Sequence, residues 1–342
     1  MKNLQLLLFS WLFLYTIFSN ACTTFVLKND SSLVFGRNLD WYSDNGMIVQ
    51  NQRNMAKKSL VFSSDQVTEW VSKYGSISFN QFGREFPFGG MNEKGLVVEI
   101  MTVDGNYPKS DDRTALNELQ WVQYQLDNSS SIEDVIASDK TIRISKIHQN
   151  LHFLVCDALG NSAVIEFYEE GMKVYKDKNL PIPVLENEPY SKSLKNHRGR
   201  KTCRFNSAAN MLKQYETRPS KSAINYSFDI LDKVALDGSW SIVYDIKNME
   251  IHFKTSSNTK LRKFSLANFN FDCKKTAKAY DLQKSDSGSI DDLFLSYNPD
   301  LNQKKFKEAI VSKAVILPKE ILKMFYNYPN TCTCTCTCEK EK

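Results

Sequence analysis

The chain has 342 residues, 42% of them hydrophobic and 12% aromatic, with 44 Lys and Arg against 39 Asp and Glu for a formal charge of +5. That length suits one large domain or two ordinary ones and buries a full core without help from disulfides or metals, and the composition excludes disordered and collagen-like chains. The small positive surplus is spread along the chain, which argues against a nucleic-acid partner, and His148, His152, His197 and His252 form no HExxH motif, which argues against a His-based metal centre.

Residues 1–21 read as an address. Lys2 precedes an apolar stretch from Leu4 to Phe18, interrupted by Gln5, Ser10 and Thr16 and too short for a comfortable membrane span. It ends in the small residues Ser19-Asn20-Ala21, the pattern of a secretory signal peptide cleaved between Ala21 and Cys22. The expected protein is secreted or periplasmic (lumenal in a eukaryote), with no stable membrane span. Three readings of Cys22 stay open on position alone. It is an ordinary residue after a cleavage site, the lipid-modified Cys of a bacterial lipoprotein, or an N-terminal nucleophile. The lipoprotein signal wants a Leu-like residue where Ser19 stands. In the third reading, cleavage sets an α-amine of pKa ~7.7–8.0 beside a thiol of ~8.5, so one residue supplies nucleophile and base.

Thr23–Leu27 and Leu33–Phe35 predict two strands of a hairpin around Lys28-Asn29-Asp30-Ser31-Ser32. Further strands are expected at Ser76–Asn80, Gly95–Val103, His152–Asp157, Ser162–Tyr168 and Met172–Tyr175, and a second hairpin at Trp240–Asp245 and Met249–Thr255. Apolar residues at helical spacing predict a helix over Ala115–Leu126. Acidic residues behind Ser131 open a short helix through Ala137, and Arg204–Tyr215 and Ser222–Val234 read as two more. Runs of strands alternating with pairs of helices favour an α+β fold of stacked, largely antiparallel sheets over a doubly wound parallel sheet. With no repeat and no linker, residues 22–325 read as one catalytic-size domain.

The remaining 326–342 end in Thr-Cys repeated from Thr331 to Cys338 and are expected to be a disordered low-complexity tail, although alternate cysteines also suit a soft metal. Cys156, Cys203 and Cys273 are the body cysteines left over, so at most one pair forms among them, and spacing does not say which.

Chemistry concentrates in a few segments. Gly36-Arg37-Asn38-Leu39-Asp40-Trp41 follows the first hairpin, which returns Arg37 and Asp40 beside Cys22. A solvated Arg–Asp pair is the commoner fate of such charges. Beside a nucleophile, the carboxylate would orient the α-ammonium and the guanidinium would favour the thiolate. Gly90-Met91-Asn92-Glu93-Lys94-Gly95-Leu96 alone is a tight turn into a buried strand. With Cys22-Thr23-Thr24-Phe25, VLENEP at 184–189 and CRF at 203–205, these segments resemble, in order, the choloylglycine hydrolase family, which contains conjugated bile acid hydrolases and penicillin V acylases.

The resemblance implies a four-layer αββα N-terminal-nucleophile hydrolase, acting on carbon–nitrogen bonds of linear amides without cofactor or metal. Cys22 matches the nucleophile whose amine is the base, and Arg37 and Asp40 match the residues neighbouring them. Asn187 matches the side-chain donor of the oxyanion hole, and Arg204 the second active-site arginine. Without the resemblance, Asn187 reads as an Asx turn before Pro189 and Arg204 as a surface charge at a helix start. Thr102 falls where the family supplies a backbone N–H to the oxyanion hole and a side chain that touches substrate, so neither bile acids nor penicillin V follows. The expected partner is a small amide with an apolar acyl group, with Phe25, Trp41, Phe86 and Phe88 as wall residues. The short stretch from Asn187 to Arg204 lacks the arm of the tetrameric members, which leaves an oligomer open and speaks against that tetramer. Acid ceramidase and N-acylethanolamine amidase relatives share the Cys-Thr start, which keeps a lipid amide open as substrate, as is an N-acyl homoserine lactone. An inactive secreted or lipid-anchored binding relative is the non-enzyme alternative.

Overall fold

The first strand pair, Thr23–Lys28 (β1) and Leu33–Leu39 (β2), closes on a turn whose Asn29 side chain accepts the N–H groups of Ser31 and Ser32. In this computed structural model, which describes residues 22–61, 65–199, 201, 203–217, 221–236, 240–312 and 318–336, the hairpin forms the second and third strands of a seven-stranded sheet. The expected signal peptide lies outside the described residues. Across the sheet the order is Val184–Glu186, β1, β2, Trp240–Asp245, Glu250–Thr255, Arg262–Ser265 and Gly288–Ser289, antiparallel but for the last pair.

A nine-stranded antiparallel sheet faces it. Its central strands are Leu151–Cys156, Val97–Thr102, Gly89–Asn92 and Ser76–Asn80, each hydrogen-bonded to the next. Aromatic rings fill the space between the sheets: Phe79 meets Tyr244 edge-on at 6.3 Å and Phe253 at 5.7 Å. Helices Glu118–Asn128 and Ile132–Ser138 lie beside the nine-stranded sheet, the first packed on its outer face, while Arg204–Thr217 and Ala223–Val234 cover the seven-stranded one. This is the expected α+β arrangement of four layers, helix, sheet, sheet, helix.

Several boundaries move for local reasons. The helix expected from Ala115 begins at Glu118, because Asn117 caps it by accepting the N–H groups of Leu119 and Gln120. Residues Thr114–Leu116 are instead a strand parallel to Ile142–Ile144. Ser131 caps its helix as expected, with Asp134 closing a capping box. The tail differs most. Residues up to 336 are described, as helix Lys319–Asn327, a 3-10 turn Tyr328–Thr331 and strand Thr333–Cys334 on the edge strand Met55–Lys58. Cys273 bonds Cys334 rather than another body cysteine, so the expectation of pairing only among Cys156, Cys203 and Cys273 is corrected. The physical reason is the edge strand: pairing with it places Thr333 and Cys334 and delivers a tail sulfur to Cys273.

The motif at 90–96 is a scaffold element. Gly95, at φ +80°, makes the reversal, and the Asn92 side chain accepts Lys94 and Leu96 N–H groups while donating to the carbonyls of Leu126 and Ser129. One glycine before it, Gly89, is required by packing. A Cβ there would sit 2.1 Å from the Glu99 carboxyl carbon, against a side chain buried between the sheets. Gly89→Ala is therefore expected to lower stability by about 1–3 kcal/mol, read as a lower denaturant midpoint with unchanged slope.

Candidate active site

Cys22 heads β1. Continuing the registers Thr23↔Asn38 and Thr23↔Glu186 one step sets Cys22 level with Leu39 on one side and Asn187 on the other. Its buried sulfur is 4.0 Å from the Asp40 carbonyl oxygen. Burial pushes the thiol up, and the Arg37 guanidinium is the strongest pull in the opposite direction. The contact with the Asp40 carbonyl and, more weakly, Arg204 also pull it down, while the Asp40 charge pushes it up.

Arg37 is 1% exposed and held from the facing sheet. Its Nη1 donates to Glu99 Oε2 at 2.6 Å and to the Ile100 carbonyl at 2.7 Å. The other Glu99 oxygen accepts the Tyr244 hydroxyl. Despite the cation beside it, burial pushes the Glu99 carboxyl up to about 7, because desolvation of a carboxylate between two sheets outweighs one ion pair. Asp40 is buried and its Oδ1 accepts the Leu236 N–H at 3.2 Å.

The second group of expected residues forms one chain of hydrogen bonds. Asn187 Nδ2 donates to the Thr102 carbonyl at 3.0 Å and to its hydroxyl at 2.9 Å, and Asn187 Oδ1 accepts Arg204 Nη2 at 3.3 Å. Arg204 opens its helix with Nε 3.9 Å from Glu186, whose carboxylate also takes the Phe205 N–H. In this arrangement the Asn187 amide protons serve Thr102. Along the Thr102 strand, Ile100 N–H donates to Phe88 O and Val103 N–H to Asn150 O. Amides alternate sides along a strand, so the Thr102 N–H points away from Leu151–Cys156, to the side of Phe88.

Of these residues Cys22, Arg37 and Thr102 line an apolar cavity of about 360 Å³, while Asp40, Asn187 and Arg204 lie outside its lining. Trp41, Phe86, Phe88 and Ile100 line it as well. Phe25 does not; it is fully buried, its ring packed over Gly36. Phe306 and Ile310 from helix Pro299–Ser312 and Ile321 and Phe325 from helix Lys319–Asn327 also line the cavity. At the edge, the Glu118 carboxylate collects the N–H groups of Ile147, His148 and Gln149 and holds that loop against the opening. Neither Glu99, Tyr244 nor the C-terminal wall is anticipated by the sequence reading.

Two facing, mainly antiparallel sheets between helix layers make the N-terminal-nucleophile hydrolase fold. The family model described as linear amide C–N hydrolases, choloylglycine hydrolase family, matches residues 22–219, more than half of the chain, and the chain belongs to that family. It is 29% identical over 194 residues to penicillin V acylase of Pectobacterium atrosepticum, covering 50% of each. To bile salt hydrolase/transferase of Clostridium perfringens it is 32% identical over 183 residues, covering 49% of this chain and 54% of the other. The chain thus spans about half the length of the curated relatives it matches. Among solved structures, penicillin V acylase from Agrobacterium tumefaciens aligns at a TM-score of 0.70 and 20% identity, covering 81% of this chain and 98% of that one. A mutant conjugated bile acid hydrolase from Clostridium perfringens aligns at 0.65 and 21% identity, over 78% and 98%. These two likenesses carry the fold.

Proposed function

We propose that the chain is an exported cysteine N-terminal-nucleophile amidase that cleaves a linear amide carrying a hydrocarbon acyl group. The observation that carries this reading is Cys22, which lines a mostly apolar cavity together with Arg37. Removal of residues 1–21 frees the Cys22 amine, which takes the thiol proton as sulfur attacks the amide carbonyl. Arg37 and Arg204 favour the thiolate, and Asp40 orients the ammonium. The Thr102 N–H and the Asn187 amide meet the oxyanion, Asn187 releasing Thr102 as the charge develops; each such donor is worth ~10²–10³ in rate. The ammonium protonates the leaving nitrogen, and water then hydrolyses the thioester. The Cys273–Cys334 bond supports export, because such bonds persist in oxidising compartments. Among the described residues, no helix is long and apolar enough to cross a membrane.

The cavity supports a particular acyl chemistry. Its lining of Phe, Trp, Ile and Leu side chains takes up hydrocarbon without leaving polar groups unpaired. That suits the phenoxyacetyl group of penicillin V or an alkanoyl chain. The hydroxyls of a cholic acid skeleton would meet a wall of Phe and Ile, at ~1–3 kcal/mol for each one left unpaired. Amine release from N-acyl amides of increasing chain length tests this. We expect kcat/KM to rise about fourfold per methylene, from ~0.8 kcal/mol each, until the cavity is full and then to fall. Phe325→Ala is expected to move the maximum to longer chains. A maximum on conjugated bile acids, or no dependence on chain length, would sink the assignment.

A further inference from the structure

The Thr-Cys repeat has no part in that chemistry, yet its placement is specific. Thr333 pairs with Ala56 and Cys334 with Met55, and Thr335 donates its N–H to the Asn54 carbonyl at 2.9 Å. Cys334 is bonded to Cys273, and the Cys336 sulfur lies within 4.8 Å of both of those sulfurs. Cys334 is exposed, and Cys273 and Cys336 are half-buried, so solvent and base reach the group. Cys332 is set apart, with its sulfur 4.0 Å from the Tyr328 carbonyl.

Side chains along a strand repeat every two residues, so a two-residue slip preserves which face each one takes. In a Thr-Cys repeat the same slip also preserves every side chain. Thr335-Cys336 can therefore replace Thr333-Cys334 on the edge strand with equivalent pairing, and the register is degenerate by sequence.

We propose that Cys273, Cys334 and Cys336 form a thiol–disulfide exchange site in which the bridge to Cys273 migrates between Cys334 and Cys336. The Cys336 thiolate attacks Cys273 Sγ. A Cys336–Cys273 bond forms, the Cys273–Cys334 bond breaks, and Cys334 leaves as a thiolate. It takes up a proton from solvent, equal to the one Cys336 lost, and no oxidant or reductant is consumed. A soft metal on the same three sulfurs is not the favoured reading, because the bridge already occupies two of them.

The exchange changes the tether of the cavity wall. Upstream of the bridge, Tyr328 and Phe325 both pack on Phe86, with ring centroids 5.3 and 5.1 Å apart, and Tyr328 donates to the Lys58 carbonyl at 2.8 Å. Moving the bridge to Cys336 adds two residues, roughly 7 Å of extended chain, between Tyr328 and its anchor. On the reading of the cavity as an acyl site, the slack lets the Phe325 wall yield to a larger acyl group.

Peptide mapping tests the exchange without any activity. The purified protein is held at pH 8 without reductant, quenched in acid, alkylated, digested and read by tandem mass spectrometry. We expect one disulfide per chain divided between Cys273–Cys334 and Cys273–Cys336 partners. In Cys336→Ser protein all of it is expected on Cys334, and in Cys334→Ser protein all of it on Cys336. Wild-type protein that holds only Cys273–Cys334 after prolonged incubation overturns the proposal, whatever the variants do.

Discussion

Protein beginning at Cys22 is expected to release amine from a matched N-acyl amide, and Cys22→Ala protein to fall below it by about 10⁵–10⁶ in kcat. Losing the sulfur removes the covalent path altogether, and water at that place has neither its nucleophilicity nor its position. Intact mass of the wild-type protein quenched in acid during turnover is expected to show the acyl group added once, at Cys22. A second arm isolates the amine. Protein that keeps Ala21 ahead of Cys22 has the same thiol, but its nitrogen is an amide that takes no proton at neutral pH. General-base help is worth ~10²–10⁴, and a loss of that size is expected, with acylation slowed and substrate affinity nearly unchanged. Equal activity with and without Ala21 would remove the amine from the mechanism, and release surviving Cys22→Ala would remove the thiol.

The parts of the fold legible in sequence are those specified by neighbours in the chain. The first hairpin, the capped helix behind Ser131 and the hairpin after Trp240 rest on local turn and capping chemistry, and all three are present. The hairpin also carries Arg37 and Asp40 back to Cys22, so that half of the site follows from a local return. Asn187 and Arg204 are different. Only the order of family motifs pointed to them, because their approach to Cys22 depends on Val184–Glu186 joining the far side of β1. The helices at Pro299–Ser312 and Lys319–Asn327 went unread because their apolar residues serve the cavity as well as the core. The tail misled for a related reason. Low complexity predicts disorder when nothing nearby offers a partner, and here an unpaired strand edge and Cys273 both do. Glu99 did leave a signal, a lone carboxylate in the apolar run Gly95–Val103, and a buried carboxylate needs a partner.

That partner makes Arg37 the residue whose loss is expected to be felt twice. Arg37→Leu leaves Glu99 between the sheets with only the Tyr244 hydroxyl, and breaking one side of a buried pair typically costs about 3–5 kcal/mol. It also removes the largest downward pull on the Cys22 thiol, so alkylation of Cys22 by iodoacetamide is expected to move to higher pH. Glu99→Gln separates the effects, since it keeps the shape and leaves the Arg37 charge uncompensated, which is expected to move alkylation to lower pH. Stability carries its own sign. The folded carboxyl holds its proton up to about 7, above its ordinary 4.5, so the native state binds the proton more tightly than the unfolded chain. Glu99 therefore favours folding most below about 4.5 and loses that contribution as pH rises to about 7, after which the curve is flat. Denaturant midpoints across that range are expected to fall by this contribution in wild-type protein and to lack it in Glu99→Gln. The double variant Arg37→Leu/Glu99→Gln is expected to recover most of the stability lost in Arg37→Leu alone, because nothing charged is left between the sheets at that point. Additive losses in that cycle would mean that Arg37 and Glu99 are neighbours without being coupled, and the thiol's environment would then have to be traced to Asp40 and Arg204 instead.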